Sequence, residues 1–465
     1  MKLKPDELDI QPTAPFANCA LSRGEIAEAL ATLLINTPGP YVISLDAPWG
    51  GGKTTFLKMF KALLDNKGFS SVYFSAWETD FSVDPLLAFM GEIDELFNSK
   101  FPSDVSKREV FKKVKICATA IAKRVIPATI KVATAGVVDL NDPDIKKVVQ
   151  ESAGGLVEDA VAGYIESKKV INDFRTKMIE AIGEISKLKD NLPVVIIVDE
   201  LDRCRPLYAI ELLERVKHLF NIPNAQFIIA TDREQLSVSL SGVYGQGFNS
   251  REYLRRFFDL DLRLTNESGD AFFESLSSRM NLQSFFDQRP EQLRQTDSDQ
   301  TKWAFNELSA LFQMTPRMQE HFMSLLVLAM RSTPNEKYFA PLQIAVLAAL
   351  KICEQTIYID VTRNGATVMQ IIDLFDKLQS QTGALQRNHW AVIQGVVLAL
   401  QNRGDIQAQG FIQALQNKVA ASTDGMNDSS VTLTVRTDHQ YASTRMDTLS
   451  KKLDLAHQFS SSRSR

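Results

Sequence analysis

The stretch of sequence that most constrains the fold is residues 41–56, which read YVISLDAPWGGGKTTF. An apolar run at 41–45 leads into a glycine-rich turn, and residues with helical character follow. Glycine adopts positive φ freely, so such a turn can aim several backbone N–H groups at one anion, while the helix behind it aims its positive N-terminal end at the same point. This order of elements predicts a P-loop, a turn that binds the phosphate groups of a nucleotide.

The predicted phosphate-binding residues are consecutive: Trp49, Gly50, Gly51, Gly52, Lys53, Thr54 and Thr55. In a P-loop the lysine reaches the β- and γ-phosphates, and the hydroxyl of the next residue ligates Mg²⁺. These roles fall to Lys53 and Thr54. The pattern G-x-x-x-x-G-K-[ST] departs at its first position, where Ala47 replaces glycine; alanine is tolerated there if its φ is negative. A glycine-rich turn before an ordinary helix is the alternative interpretation.

A second motif lies at residues 192–200, LPVVIIVDE. Its apolar run is typical of a parallel strand that is buried on both faces. Asp199 and Glu200 follow at the carboxyl end of that strand, where open α/β sheets bind ligands. We expect Asp199 to hold Mg²⁺ through water and Glu200 to polarise the attacking water. An acidic pair after a strand can also cap a helix, but its presence in the same chain as the P-loop favours nucleoside triphosphate hydrolysis.

Several further segments occur in a characteristic order. They are Trp49 in the turn, FSAW at 74–77, LDRC at 201–204, FIIATDREQL at 227–236 and YLRRFF at 253–258. Together they resemble the KAP family of P-loop NTPases over about residues 20–265. The resemblance implies an ATPase that binds ATP and Mg²⁺, in a bacterial context in which such proteins take part in defence against phages or mobile elements. It also implies protein partners from the same defence operon.

Arginines are candidates for stabilising the transferred phosphoryl group, since a guanidinium often does so in P-loop enzymes. Five positions qualify: Arg203, Arg205, Arg255, Arg256 and Arg317. Arg256 lies where AAA-type ATPases carry an arginine to the next subunit, and Arg317 resembles their second sensor at a helix start. We predict catalytic roles for Arg256 and Arg317, with an exposed surface arginine as the alternative. Thr231 or Asp232 occupies the place of a polar group that senses the γ-phosphate.

The predicted fold class is α/β, a P-loop NTPase with a parallel sheet. Residues 1–99 and 191–265 supply the two parts of the NTPase core. Residues 100–190 form a helical insertion between them, residues 266–420 an all-helical lid or C-terminal domain, and residues 421–465 a polar tail.

Four local patterns lead to further expectations. Residues 108–135 are basic and amphipathic, which predicts a helical arm for self-association or partners, a membrane-surface helix or an inert insertion. Residues 289–301 resemble a polar linker. Residues 431–435 alternate between apolar and polar, which predicts an edge strand or a segment that pairs with a partner. Trp77 is expected in the core beside the sheet, with packing against the P-loop as the alternative.

Composition excludes several classes of protein. A net charge of −4 gives no strong signal for nucleic-acid binding. The four cysteines lie far apart, match no metal spacing and, without a signal-peptide pattern, predict reduced thiols and a cytoplasmic location. No apolar run approaches the roughly 20 residues that a membrane-spanning helix needs.

The leading functional hypothesis is a Mg²⁺-dependent ATPase that forms homo-oligomers and couples turnover to assembly or to regulation of a partner. A nucleotide-gated scaffold with negligible hydrolysis is the alternative from another class. Phosphate release over time distinguishes the two. A motor stimulated by nucleic acid is disfavoured by the balance of charges.

Overall fold

A computed structural model describes residues 1–37, 39–82, 84–134, 156–265, 269–401, 405–421, 429–441 and 446–454. The chain divides into two compact units. The first is Ile10–Thr265, and the second combines Met1–Asp9 with Asn266–Arg465. The sheet and the predicted site lie in the first unit.

The sheet contains five parallel strands in the described part of the chain: β1 Tyr41–Asp46, β2 Ser70–Ser75, β3 Val194–Asp199, β4 Ala225–Thr231 and β5 Leu260–Arg263. Their spatial order is β2-β3-β4-β1-β5. Asp46 lies opposite Thr231, and Ser75 lies opposite Asp199. The carboxyl ends of β1, β2, β3 and β4 therefore meet at one edge, which receives both the turn after β1 and the acidic pair after β3.

Helices cover both faces of this sheet: α1 Gly24–Asn36, α2 Lys53–Asn66, α3 Pro85–Lys100, α4 Val105–Thr134, α5 Leu156–Lys187, α6 Pro206–Leu219, α7 Arg233–Tyr244 and α8 Ser250–Arg255. Successive residues of a strand point to opposite faces. Accordingly, Val195 and Ile197 of β3 pack in the core that α1 and α2 share. Ile196 and its alternate neighbours pack in the core formed by α3 to α6. Burial on both faces explains the unbroken apolar run of β3.

The predicted helical insertion is built from α4 and α5, and the part of it next to the sheet belongs to the core. Phe111 of α4 stacks on Phe97 of α3 with ring centroids 4.9 Å apart, and Phe174 of α5 packs edge-on against Phe220. Residue 135 and the connection up to residue 155 lie outside the described residues. No helix among the described residues combines the length and the apolar character that crossing a bilayer requires.

The second unit contains helices and no strand among its described residues, as the sequence predicts for residues 266–420. Its helices are α9 Asp270–Met280, α10 Gln283–Phe286, α11 Glu291–Leu311, α12 Pro316–Arg331, α13 Pro341–Cys353, α14 Gln355–Arg363, α15 Met369–Thr382, α16 Arg387–Ala399, α17 Ile406–Ala421, α18 Ser429–Tyr441 and α19 Met446–Asp454. The first nine residues join this unit rather than the sheet, because the Lys2 N–H donates to the Met280 carbonyl at 2.8 Å and Arg279 donates to the Asp6 carbonyl.

The expectation of a polar linker at 289–301 is wrong, because α11 begins at Glu291. Two charged residues of the 289–301 segment are buried as a pair. The guanidinium of Arg289 lies 2.7 Å from the Asp297 carboxylate, and neither side chain is exposed to solvent. Burial raises the pKa of Asp297, while the Arg289 charge opposes that rise. A polar sequence thus forms core here because opposite charges compensate each other inside it.

The expectation of an edge strand at 431–435 is also wrong, since these residues belong to α18. The buried residues are Thr434, Thr437 and Asp438, and a spacing of three and four residues is that of one helix face. The threonines pack against Gly395 of α16, where an added Cβ would lie 2.5 Å from the Thr434 carbonyl oxygen and 2.5 Å from the Thr437 Cβ. Small polar residues therefore allow two helices to approach closely. Residues 422–428, 442–445 and 455–465 of the predicted tail lie outside the described residues.

This close approach gives a stability prediction. Gly395→Ala should destabilise the second unit by about 1–3 kcal/mol, because backbone and side chain must move to admit the methyl group. The control is Gly410→Ala in α17, where an added Cβ meets no atom within 4 Å; it should stabilise by up to about 1 kcal/mol through helix propensity. Urea unfolding of the full chain, followed by circular dichroism, measures both. Equal midpoints for the two variants would contradict the packing described here.

Candidate nucleotide-binding site

The turn between β1 and α2 has the backbone of a P-loop. Gly50 and Gly52 adopt left-handed φ values of 77° and 79°. Gly51 is constrained in another way, because a Cβ there would lie 2.9 Å from the Pro48 carbonyl oxygen. Ala47 has a negative φ, so the departure from the P-loop pattern is tolerated. The glycines are thus needed by the shape of the turn, and α2 begins directly behind it at Lys53.

Arg23 holds this turn from behind, a role that sequence reasoning missed. Its guanidinium is buried and donates to the carbonyl oxygens of Gly51 at 2.8 Å and Gly52 at 3.3 Å. It also donates to the Thr265 carbonyl at 3.1 Å. In a trans peptide the C=O and the following N–H point in opposite directions, so these bonds direct the N–H groups of Gly52 and Lys53 away from Arg23. Burial lowers the pKa of Arg23.

Lys53 contacts both the turn and an acidic residue. Its ammonium donates to the Ala47 carbonyl oxygen at 2.7 Å and lies 3.7 Å from a carboxylate oxygen of Asp202. The indole N–H of Trp49 donates to the same oxygen of Asp202. The backbone N–H of Trp49 donates to Asp232 at 3.0 Å. Lys53 and Trp49, two residues of the predicted phosphate site, are therefore joined through one carboxylate.

Asp199 is fully buried at the end of β3 and is held by two donors. One oxygen accepts the Tyr73 hydroxyl at 2.7 Å, and the other accepts the Glu200 backbone N–H at 2.8 Å. Burial and the nearby Asp199 charge raise the pKa of Tyr73 well above its usual value, so the tyrosine stays protonated and donates. Tyr73 lies on β2, and only the pairing of β2 with β3 shows its role.

Glu200 has a left-handed backbone with φ of 61°. One carboxylate oxygen accepts the Ser75 hydroxyl at 3.1 Å, and the other pairs with Arg203 at 2.7 Å. The guanidinium of Arg203 also lies over the Trp77 ring, 5.5 Å from its centroid. Trp77 is 52% exposed, so the expectation that it lies in the core is wrong. The chain leaves the sheet before Trp77, which places the ring on the surface beside Arg203.

The oxygen atoms at this edge of the sheet fit a hydrated Mg²⁺ bound to phosphate. Thr54 is half-buried in the first turn of α2, and each Asp199 oxygen retains a free lone pair. Hydroxyl and carboxylate oxygens are ligands that Mg²⁺ prefers. Asp202 Oδ1 and Thr231 Oγ1 are buried with no hydrogen-bond partner in the described chain, which leaves room for further polar contacts. Among the described residues, no group of three His, Cys, Asp or Glu side chains could hold a metal ion without other ligands.

The structure places the candidate arginines differently. Arg203 pairs with Glu200 as described, whereas Arg205 pairs with Asp80 and Arg255 with Glu252. Arg256 is exposed and forms no ion pair with any described carboxylate. Arg317 lies exposed in the first turn of α12 in the second unit. The catalytic roles of Arg256 and Arg317 thus stay predictions.

The Arg23 contacts lead to a prediction about binding. Arg23→Met removes three hydrogen bonds from a charged donor, each worth about 1.5–3 kcal/mol, so ATP affinity should fall at least tenfold and the thermal midpoint should drop. Lys58→Met, which removes an exposed cation of α2, serves as the control and should leave both unchanged. Calorimetric titration with ATP and thermal unfolding measure the effects. Wild-type affinity in Arg23→Met would refute the positioning role.

Comparison with known families assigns this site to a class of protein. Residues 23–333 match the family described as KAP family P-loop domain. No curated protein shows significant sequence similarity to the chain. The matched range begins at Arg23, contains all five strands described above and ends after α12, and so covers more than half of the chain. The resemblance stated from the P-loop, the acidic pair and the neighbouring motifs is therefore confirmed. This chain belongs to the KAP family of P-loop NTPases.

Proposed function

We propose that this protein is a Mg²⁺-dependent ATPase whose turnover drives oligomerisation or regulation of a partner protein. Family membership indicates nucleotide binding and hydrolysis. The observation that carries the finer proposal is the common position of Lys53, Asp199 and Glu200 at the carboxyl edge of the sheet. A cation for phosphate, a buried carboxylate for a hydrated metal and a second carboxylate for water are the groups that hydrolysis of a triphosphate requires.

The chemical roles follow from the contacts of each residue. The N-terminus of α2 and Lys53 bind the phosphate oxygens, because both are positive and lie at the same turn. Mg²⁺, held through Thr54 and Asp199, supplies neutralisation of charge on the phosphate oxygens when it is bound. Glu200 orients a water and accepts its proton as the water oxygen attacks the γ-phosphorus and the bond to the β-phosphate oxygen breaks. The Ser75 hydroxyl donates to one carboxylate oxygen of Glu200 and holds this side chain in place.

We further propose a homo-oligomer that works in the cytoplasm beside protein partners encoded with it, in bacterial defence against phages or mobile elements. The family resemblance supports the defence context. The four cysteines are free thiols, which supports a reducing compartment. Arg256 supports the oligomer, because an exposed arginine without a carboxylate partner among the described residues is available to a neighbouring subunit.

A nucleotide-gated scaffold remains the second candidate, and one observation favours it. Lys53 pairs with Asp202 and Glu200 pairs with Arg203, so both residues needed for hydrolysis are engaged within the chain. Such a protein binds ATP and hydrolyses it negligibly. Phosphate release over time decides between the two, since a scaffold releases no more than one phosphate for each chain.

The catalytic assignment is tested with two substitutions. Lys53→Ala should abolish ATP binding, because it removes the cation of the turn. Glu200→Gln should keep ATP binding and lower phosphate release by about 10²-fold or more, the usual contribution of a positioned base. Glu78→Gln removes an exposed carboxylate from the loop after β2 and should change neither quantity. Unchanged turnover in Glu200→Gln would contradict the assignment and make Asp202 the candidate base.

The oligomer is tested through the arginines before β5. Arg256→Ala should lower turnover by about tenfold or more and leave ATP affinity nearly unchanged, because a guanidinium from a neighbour acts mainly on the transition state. Arg255→Ala is the control, since Arg255 already pairs with Glu252. Mixing Arg256→Ala with Lys53→Ala should restore part of the activity, as each chain supplies what the other lacks. If the protein is a monomer and its turnover per chain does not depend on protein concentration, the shared site is refuted.

A further inference from the structure

The three-residue turn Leu201–Arg203 follows β3 and Glu200. It contacts both the phosphate-binding residues and the residue proposed to orient water. Its Asp202 lies against Lys53 and Trp49, and its Arg203 lies against Glu200. Neither the family match nor the proposed reaction assigns a role to these contacts. They join the phosphate-binding residues to the water-orienting residue through adjacent positions of one short turn.

Asp202 takes the place of an anion at the P-loop. Its carboxylate lies 3.7 Å from the Lys53 ammonium and accepts the Trp49 indole N–H. The Asp202 side chain is 2% exposed and that of Lys53 is 9% exposed. Water screens such a pair far less than it screens a surface ion pair. Asp202 therefore neutralises the buried ammonium of Lys53 when no phosphate does so.

A phosphate and the Asp202 carboxylate compete for the same donors. Both are anions, and like charges a few ångströms apart in a buried site repel strongly. Lys53 is also the cation that the proposed function assigns to phosphate, and Trp49 belongs to the predicted phosphate-binding turn. Phosphate binding must therefore either displace Asp202 or be weakened by it.

We propose that Asp202 is a positioning residue that occupies the P-loop in the absence of nucleotide and that the nucleotide phosphates displace it from Lys53 and Trp49. This inference rests on the proposed function. Asp202 thereby sets nucleotide affinity. Because Arg203 is the next residue of the same turn, displacement of Asp202 also shifts Arg203 and releases Glu200 to orient water. Phosphate binding and readiness for hydrolysis are coupled through this turn.

The affinity is tested with a carboxylate-to-amide pair of variants. Asp202→Asn keeps the shape and removes the charge that competes with phosphate. Asp65→Asn is the control, because Asp65 lies half-exposed in the last turn of α2 and pairs with Lys61 rather than with the P-loop. The probe is the non-hydrolysable imido analogue of ATP with Mg²⁺, titrated calorimetrically. Asp202→Asn should bind about tenfold more tightly than wild type, in the range of close buried charge pairs, and Asp65→Asn within about twofold of wild type.

Two further variants keep the test decisive if Asp202→Asn folds poorly. Asp202→Glu retains the anion and should show no gain in affinity, whereas Asp202→Ser should show the gain. Equal affinity in wild type, Asp202→Asn and Asp202→Ser would overturn the inference while leaving the proposed function intact. Failure of wild type and all variants to bind the probe would overturn the proposed function and this inference with it.

The coupling has a spectroscopic readout that turnover does not provide. The chain has four tryptophans, of which Trp49 contacts Asp202 and Trp77 contacts Arg203. In a Trp303→Phe, Trp390→Phe background with Trp49→Phe added, emission reports Trp77 alone. The probe should change this emission, and adding Asp202→Asn should remove most of the change, because the turn is already released. Unchanged Trp77 emission at saturating probe would overturn the coupling.

Discussion

Parallel pairing of β1, β3 and β4 is the constraint on which the rest of the site depends. In a parallel sheet every strand ends at the same edge, so whatever follows each strand meets there. The turn after β1 and the acidic pair after β3 are separated by about 150 residues of sequence, yet β4 alone lies between their strands. The two faces of the sheet are buried under helices, which holds the strands in register. Without this register Lys53 and Glu200 would share no site.

Compensated charge explains how such a polar edge stays folded. Burying an isolated charge costs several kcal/mol, and each buried charge described here has partners. Arg23 donates to three carbonyl groups, Lys53 faces Asp202, and Arg289 faces Asp297 in the helical unit. The partners in the first unit belong to the site itself. The Lys53–Asp202 pair therefore stabilises the chain and, by the inference above, also competes with the ligand, which links the chemistry of the site to its stability.

Local patterns predicted much of the fold, and they failed where charge or helix packing overrode them. Glycine positions, the lysine and the apolar strand followed by two carboxylates are short-range signals, and each appears in the structure at the predicted place. Residues 289–301 looked like a linker because they are polar. Polarity does not show exposure, however, when opposite charges are buried as a pair. Residues 431–435 alternate as a strand does, but Thr434 and Thr437 lie on the helix face that packs on Gly395. Trp77 looked like a core residue because its side chain is large and apolar. Size does not show that the chain leaves the sheet before Trp77 and exposes the ring.

The sequence by itself determined the class of protein: the order of turn, lysine, acidic pair and neighbouring motifs identifies a P-loop NTPase of the KAP family. Tertiary structure alone decided which residues support that site. Arg23 lies in no motif, and Tyr73, Ser75 and Asp202 lie beside or within motifs that do not reveal their partners. Each acts through a contact with a residue 28 to 153 positions away. Hydrogen bonds and ion pairs depend on distance and direction in space, and sequence patterns record only neighbours along the chain.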